Sequence, residues 1–244
     1  MIRLDRWLVA LDAGSRSQVQ RLVRAGLVTV DGEIARDPAM SCDERASRLT
    51  LRGEALDGRL VRHVMLHKPA GLLTAARDRK QPTVMSLLPP VYASLGCMPV
   101  GRLDKDTTGL LLLTCDGELN HRLLSPGRHV DKTYRATVTG RLSARDAEAF
   151  AAGLDLGDFI AKPARLEILT AEDACSVAEA TVCEGKFHQV KRMFEAVGHE
   201  VTALHRLRFG SLTLDETLGP GQWRELTAEE LAALYRDAAM EGTT

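Results

Sequence analysis

Two carboxylates stand close together in one short polar loop, where they could act as a nucleophile or as an acid and a base. Asp104 and Asp106 belong to the segment Gly101–Leu110, which is dense in charge and lies between two apolar stretches. Loops between buried strands are common places for catalytic groups. A surface turn can have the same composition, and an acid in a loop often only accepts the hydrogen bonds of the turn. Composition alone leaves both interpretations open.

A second charged segment, Glu184–Phe194, could supply the cation that such a carboxylate needs. Desolvation in a partly closed pocket raises the pKa of a carboxylate, and a nearby cation opposes that rise. Lys191 and Arg192 are the candidates, although a solvated helix face would carry the same charges. The chain has no glycine-rich phosphate loop and no His and Cys set with metal-ligand spacing, so we predict no cofactor and no metal.

Several further motifs occur in a fixed order along the chain. Residues 101–110 read G-R-L-D-x-x-T-x-G-L, residues 132–134 read K-x-Y, and residues 184–194 read E-G-x-x-H-Q-V-K-R-M-F. Residues 199–214 end in L-H-R-L-R-F-G-S-L-T-L. Together they resemble the pseudouridine synthases, in the branch that contains RsuA and its large-subunit relatives. The resemblance spans residues 3–231 and implies a cofactor-free isomerase that converts a uridine of structured RNA to pseudouridine.

The resemblance also implies the roles of the catalytic residues. Asp104 takes the position of the nucleophile, and Asp106 is the rival that lacks this assignment. Lys191 is expected to pair with Asp104, with Arg192 close by. Tyr134 takes the position of the tyrosine that stacks on the target base and helps to remove the proton from carbon 5. Whether the carboxylate attacks the ribose or carbon 6 of the uracil is left open, because the sequence is the same for either route.

RNA contacts are expected around these residues. A uridine inside folded RNA must be turned out of its stack before it can react. Arg102 is the candidate to fill the vacated space, because a guanidinium can both stack and bind phosphate. His188 and Gln189 have no partner acid at a recognisable spacing, so we predict a structural or RNA-contacting role for both.

Two other classes of function compete with this interpretation. A non-catalytic RNA-binding factor of ribosome assembly would be free to lose the loop acid, whereas Asp104, Tyr134 and Lys191 are all present. A glycoside hydrolase would need two catalytic carboxylates, and Asp106 is the only acid near Asp104 in sequence.

Residues 1–60 are predicted to form a small unit of their own. Ser15 and Gln18 have the spacing of a capping box, and the helix that they open ends at Gly26. The segment V-T-V-D-G-E-I, residues 28–34, predicts a hairpin with an Asp-Gly turn. These elements resemble the RNA-binding domain of the ribosomal-protein-S-four type.

Three arginines of this unit are candidate phosphate contacts. Arg16, Arg21 and Arg24 stand on the capped helix in a stretch without an acidic residue. A solvated helix face is the alternative interpretation.

The rest of the chain is predicted to be an α+β domain with a mixed, mainly antiparallel sheet, because strands outnumber helices and do not alternate with them regularly. We predict an RNA-binding domain with its linker over residues 1–60, a catalytic domain over 61–236 and a polar tail over 237–244. The predicted strands are 61–66, 72–73, 110–113, 134–138, 166–169 and 177–182, and the predicted helices are 118–124, 143–154, 189–197 and 227–235.

Charge and hydropathy bear on partners and location. The net charge is −1, yet residues 61–135 carry 11 Lys+Arg against 6 Asp+Glu, and residues 136–244 carry 11 against 18. Such asymmetry suits a protein that presents one face to a polyanion. The form of the H-Q-V-K-R-M-F segment favours small-subunit ribosomal RNA, and the near-neutral charge favours an assembly intermediate over naked RNA. With no apolar leader or membrane span, we expect a soluble, cytoplasmic monomer.

Overall fold

The computed structural model of the chain describes residues 1–240, so that 241–244 of the predicted tail lie outside the described residues. The backbone forms two compact units. One combines Met1–Arg62 with Leu88–Met98, and the other combines His63–Leu87 with the chain from Pro99 onwards. No signal in the sequence indicated that Leu88–Met98 belongs with the first unit.

The first unit contains three helices and six short strands among the described residues. They are β1 (Ile2–Arg3), α1 (Leu4–Ala10), α2 (Arg16–Arg24), β2 (Val28–Val30), β3 (Glu33–Ile34), β4 (Ser41–Cys42), β5 (Leu49–Leu51), β6 (Glu54–Leu56) and α3 (Pro90–Ser94). Strands β3-β2-β5-β6 form one antiparallel sheet.

Local chemistry at the ends of these elements confirms the predicted helix and hairpin. The hydroxyl of Ser15 accepts from the Gln18 backbone N–H, and the Gln18 side chain accepts from the Ser15 N–H, which is the capping box. Asp31 and Gly32 both have positive φ, at 52° and 88°, as the two-residue hairpin turn requires. The apolar core of this unit packs around Trp7, which is fully buried.

The second unit is larger and is built on one sheet. Its elements are β7 (His63–Lys68), β9 (Thr108–Thr114), α4 (Gly117–Leu124), β10 (Lys132–Thr139), α5 (Ala144–Ala152), β11 (Leu154–Asp155), β12 (Ile160–Ala161), β13 (Arg165–Ala171), β14 (Cys175–Val182), α6 (Gln189–Ala196), β15 (Val201–Phe209), β16 (Leu212–Thr213), β17 (Trp223–Glu225) and α7 (Ala228–Asp237). The short strand β8 (Met98–Pro99) lies at the boundary of the two units. Short 3-10 turns occur at Val84–Leu87 and Pro126–Arg128.

The main sheet has the order β13-β14-β10-β15-β9-β7-β17. Along this path, β15 and β9 run parallel and the other described neighbours run antiparallel. The predicted mixed, mainly antiparallel sheet of an α+β domain is therefore confirmed. Strand β9 is central and its run of four leucines, 110–113, is fully buried. A continuous apolar run of this kind is typical of a strand that is covered on both faces.

Helices cover the sheet at two places and form two hydrophobic clusters. Helices α5 and α6 bury Phe150, Met193 and Phe194 against β10, β13 and β14. Helices α4 and α7 pack near β9 and β15, around Phe209. Ala238, directly after α7, is fully buried in this second cluster. Within residues 1–240, no helix is both long and apolar enough to cross a membrane.

Two predicted strands differ from the structure. The first strand begins at His63 and not at Val61, whose side chain is half exposed. Residues 72–73 do not form a strand, and a single bridge between Leu73 and Thr83 is found there. The apolar pair lies between Gly71 and Thr74 and is too short to extend the pairing beyond this bridge.

Candidate active site

The loop that carries Asp104 is fixed on both sides by buried polar contacts. Before the aspartate, the hydroxyl of Thr74 donates to the Leu103 carbonyl at 2.8 Å and accepts from the Leu103 N–H at 3.2 Å. After it, the Thr107 N–H donates to the Asp104 carbonyl at 3.2 Å. The backbone around the aspartate is therefore held before any ligand arrives, which is the preorganisation that a reactive group needs.

A buried lysine holds the far side of the same loop. The ammonium of Lys68, which is fully buried, donates to the carbonyls of Pro69 at 3.0 Å, Lys105 at 3.3 Å and Thr107 at 2.9 Å. Burial lowers the pKa of Lys68 to about 8, while the charges of Asp106 and Asp104 act in the opposite direction. Lys68 ends β7, so it connects the central sheet directly to the loop.

We expect Lys68→Met to lower the free energy of unfolding by about 2–4 kcal/mol at pH 7, because buried carbonyls of the loop lose their charged donor. Urea denaturation measures this, and Lys105→Met is the matched control. The ammonium of Lys105 is exposed and contacts only the Gln81 side chain, at 2.8 Å, among the described residues. Equal stability of the two variants would contradict a bracing role for Lys68.

The lowered pKa of Lys68 also predicts a pH dependence. Because the folded-state pKa lies below the unfolded value, the unfolded chain binds more protons between about pH 8 and 10.5. The titration of Lys68 therefore increases the stability of the folded state as the pH rises through that window. Urea denaturation at pH 8 and at pH 10 should show a more positive change for the wild type than for Lys68→Met. An identical change in both proteins would show that the pKa is not lowered.

Four ionisable side chains meet at the mouth of the loop. The ammonium of Lys191 donates to both carboxylate oxygens of Asp106, at 2.7 and 2.8 Å, and lies 3.4 Å from Oδ2 of Asp104. Nε2 of His188 lies 3.4 Å from Oδ1 of Asp104. The hydrogen bond from Lys191 lowers the pKa of Asp106. Lys191 thus contacts Asp104, as predicted, but its shorter contacts are to the exposed Asp106.

Tyr134 reaches the same place from the sheet. It lies on β10 beside an irregularity of the pairing with β15, where Thr133 is opposite Arg208 and Tyr134 is opposite Arg206. Irregularities of this kind redirect side chains and are frequent next to active sites. The guanidinium of the buried Arg206 lies 6.0 Å from the centre of the Tyr134 ring, and its Nε donates to the Leu110 carbonyl at 2.7 Å.

A cavity of about 60 Å³ joins these groups. Asp104, Tyr134 and Lys191 all line it, together with Arg102, His188 and Gln189. Its remaining lining residues are Leu103, Thr107, Val182, Glu184, Gly185, Lys186, Val190 and Leu204. The structure thus brings together six of the predicted site residues, which stand on three separate stretches of the chain.

Gln189 supports the wall of the cavity. Its buried side chain accepts from the Lys186 N–H at 3.1 Å and donates to the Glu184 carboxylate at 3.0 Å, which closes the turn 184–189. Arg192 is directed elsewhere, to the loop between β11 and β12, where it donates to the Leu156 carbonyl at 2.6 Å and pairs with Asp158. Arg192 is not among the described lining residues.

The predicted arginines of the first unit are exposed on α2. Arg16 lies 3.7 Å from the buried carboxylate of Asp5, while Arg21 lines a shallow cavity of about 380 Å³ with Arg52. Hydrogen bonds from Arg3 lower the pKa of Asp5 to about 2. Arg24 is exposed near the end of the helix. Sequence reasoning missed Arg52, which stands in the turn between β5 and β6.

Sequence reasoning also missed Lys68 and the burial of Arg206, for which it predicted a contact with RNA or with the sheet edge. The one available signal was a basic residue at the end of an apolar strand, as for Lys68, or inside one, as for Arg206. Burying such a cation is costly unless it has a specific partner. Among residues 1–240, no group of His, Cys, Asp and Glu side chains is arranged to hold a metal ion.

Comparison with known proteins places this geometry in a family. Residues 62–196 match the RNA pseudouridylate synthase family, and residues 2–45 match the S4 domain. The chain is 44% identical over 239 residues to the uncharacterized RNA pseudouridine synthase YtzG of Bacillus subtilis, covering 98% of this chain and 100% of that protein. It is 41% identical over 242 residues to ribosomal small subunit pseudouridine synthase A (RsuA) of Escherichia coli, with 96% and 100% covered.

A solved structure agrees with these matches. A crystal structure of a pseudouridylate synthase superposes with a TM-score of 0.65 at 36% identity and covers 96% of this chain and 100% of that one. The family match extends over more than half of the chain, and the relatives are matched along their whole length. The chain therefore belongs to the RNA pseudouridylate synthase family, in the RsuA-type branch that joins an S4 domain to the synthase domain.

Proposed function

We propose that this chain converts one uridine of small-subunit ribosomal RNA to pseudouridine, with Asp104 as the nucleophile. The observation that carries the proposal is the single cavity that Asp104, Tyr134 and Lys191 line together. The printed name of the Escherichia coli relative supports the choice of small-subunit RNA.

The chemistry is an isomerisation within one nucleotide. The bond between N1 of the uracil and C1′ of the ribose breaks, the base turns, a bond forms between C5 and C1′, and the proton on C5 is replaced by one on N1. Asp104 provides the ionised carboxylate that adds to the ribose or to carbon 6 and leaves again at the end. The ammonium of Lys191 lies 3.4 Å from Oδ2 of Asp104 and places a positive charge beside it. Tyr134 stacks on the base and assists removal of the proton from C5.

The target nucleotide reaches the cavity by turning out of the RNA. Unstacking costs a few kcal/mol, which contacts in the opened site offset. Arg102 lines the cavity and is exposed, so it is available to fill the space that the base leaves. The exposed arginines of α2, Arg16, Arg21 and Arg24, contact phosphates and hold the RNA in register.

The whole chain then acts as a cytoplasmic monomer with two working parts. Residues 1–60 bind RNA and residues 61–236 catalyse. His188 forms part of the cavity wall beside Asp104. Arg192 supports the loop between β11 and β12 by its contacts with Leu156 and Asp158.

The test is to incubate the purified chain with small-subunit ribosomal RNA, with large-subunit RNA and with small-subunit assembly intermediates. Pseudouridine is mapped by carbodiimide adducts and primer extension, and RNA incubated without protein is the control. One new stop in small-subunit RNA or its intermediates is the expected result.

The other outcomes discriminate between the alternatives. A stop in large-subunit RNA alone would keep the reaction and overturn the substrate. No stop in any of the three, from a folded preparation that binds the RNA, would leave a non-catalytic assembly factor as the better account.

A further inference from the structure

One phenylalanine next to the cavity is exposed to solvent, and this exposure does not help to stabilise the fold. The chain has five phenylalanines. Phe150, Phe194 and Phe209 are fully buried and Phe159 is partly buried, whereas Phe187 is 75% exposed. Most large apolar side chains contribute to folding by leaving water, and Phe187 contributes little in this way.

The ring is nevertheless held in a defined orientation. Phe187 is stacked on the imidazole of His188, with ring centres 3.8 Å apart and an angle of 18° between the planes. His188 in turn places Nε2 3.4 Å from Oδ1 of Asp104. The rings of Phe187 and His188 therefore lie between the solvent and the Asp104 carboxylate, and the outer face of the Phe187 ring is exposed.

The backbone under the ring is held by several hydrogen bonds. The buried Gln189 side chain holds both Lys186 and Glu184, and Lys162 donates its N–H to the same Glu184 carboxylate at 3.0 Å. His188 has a φ of 49°, in the left-handed region that glycine, asparagine, aspartate and histidine adopt more readily than other residues. A ring fixed in this way loses little conformational entropy when a ligand stacks on it.

The ligand that fits an open aromatic face is a second planar ring. Nucleobases stack on aromatic side chains whatever their sequence, because every base has a π face. The motif leaves this position open, as the second x of E-G-x-x-H-Q, and in this chain it holds an aromatic residue with an exposed ring.

We propose that Phe187 is the stacking platform for an unpaired base that neighbours the target uridine in the RNA. The inference rests on the proposed function and adds to it the way in which the flanking nucleotide is held. Phe187 is a binding residue and does not take part in the bond changes.

The first test measures pseudouridine formation by Phe187→Ala, Phe187→Tyr and Ile160→Ala. Ile160 is the matched control, since it is 74% exposed in the same unit. Loss of one base–aromatic stack should raise KM for RNA roughly 5- to 100-fold and leave kcat within about twofold. The tyrosine variant should keep the wild-type KM, and the control should not change. An unchanged KM for Phe187→Ala, or a fall in kcat alone, would overturn the proposal.

The second test does not depend on activity. Phe187→Trp places an indole on the open face, and its fluorescence should be quenched when small-subunit RNA is added, in contrast to that of Ile160→Trp. Quenching together with absent pseudouridine formation in the wild type would refute the proposed function and keep the stacking platform. Pseudouridine formation without selective quenching would refute the platform and keep the function.

Discussion

Replacing Asp104 with asparagine is expected to lower the rate of pseudouridine formation by roughly 10³-fold or more. Asparagine has the same shape, so the loop and its contacts with Thr74 and Lys68 should be retained, but the amide cannot act as an ionised nucleophile. Primer extension on modified RNA measures the rate, and a filter-binding assay should give the same affinity for RNA as the wild type.

Asp106→Asn is the matched control for this prediction. Asp106 is two residues away, its side chain is 74% exposed, and it is not among the described residues that line the cavity. An exposed ion pair contributes little, so we expect a loss of activity of about fivefold at most. If Asp106→Asn abolished the reaction and Asp104→Asn did not, the assignment of the nucleophile would be reversed.

The position of Lys191 explains why the two carboxylates need to be compared. Its ammonium hydrogen bonds to Asp106 and lies somewhat farther from Asp104. In this arrangement the positive charge stays near Asp104, the proposed nucleophile, while Asp106 accepts the direct hydrogen bonds.

Where local chemistry decides the structure, the sequence was sufficient. The capping box of α2, begun by Ser15, was predicted from residue types three positions apart, and it is present. The Asp-Gly hairpin was predicted for the same reason, because backbone angles at Asp31 and Gly32 depend on those residues themselves. The predicted helix 189–197 was likewise confirmed over Gln189–Ala196.

Contacts between distant parts of the chain could not be predicted from local sequence in this way. Lys191 meets Asp106 across 85 positions, and His188 reaches the Asp104 carboxylate from the same segment. The resemblance to a family indicated that Asp104 and Lys191 are close. It did not indicate which carboxylate accepts the hydrogen bonds, since that depends on side-chain positions at the start of α6.

The register of the sheet connects the two halves of the site. Gly109 on β9 is opposite Arg206 on β15, and Arg206 is opposite Tyr134 on β10. This row of three neighbouring strands aligns the end of the Asp104 loop with the tyrosine. It also explains the burial of Arg206, whose guanidinium lies between the β9 carbonyl of Leu110 and the tyrosine ring.

Gly109→Ala should therefore disrupt both the fold and the site. A Cβ at this position would lie 2.3 Å from the Arg206 carbonyl oxygen and 2.7 Å from its nitrogen, and φ is +101°. Backbone atoms on a central strand cannot move aside cheaply, so we expect a loss of about 3 kcal/mol or more in the free energy of unfolding. Urea denaturation measures the loss, and the surviving folded protein should form pseudouridine slowly because β9 and β15 are forced apart.

Gly117→Ala gives the control, at the start of α4. No atom lies within 4 Å of the Cβ that would be added there, and φ is not in the left-handed region. Alanine is a better helix former than glycine, so this variant should be as stable as the wild type or slightly more stable. If Gly109→Ala were equally well tolerated, the glycine of the T-x-G-L motif would not be needed for strand contact. The alignment of Asp104 with Tyr134 would then depend on the loop contacts of Lys68 and Thr74 alone.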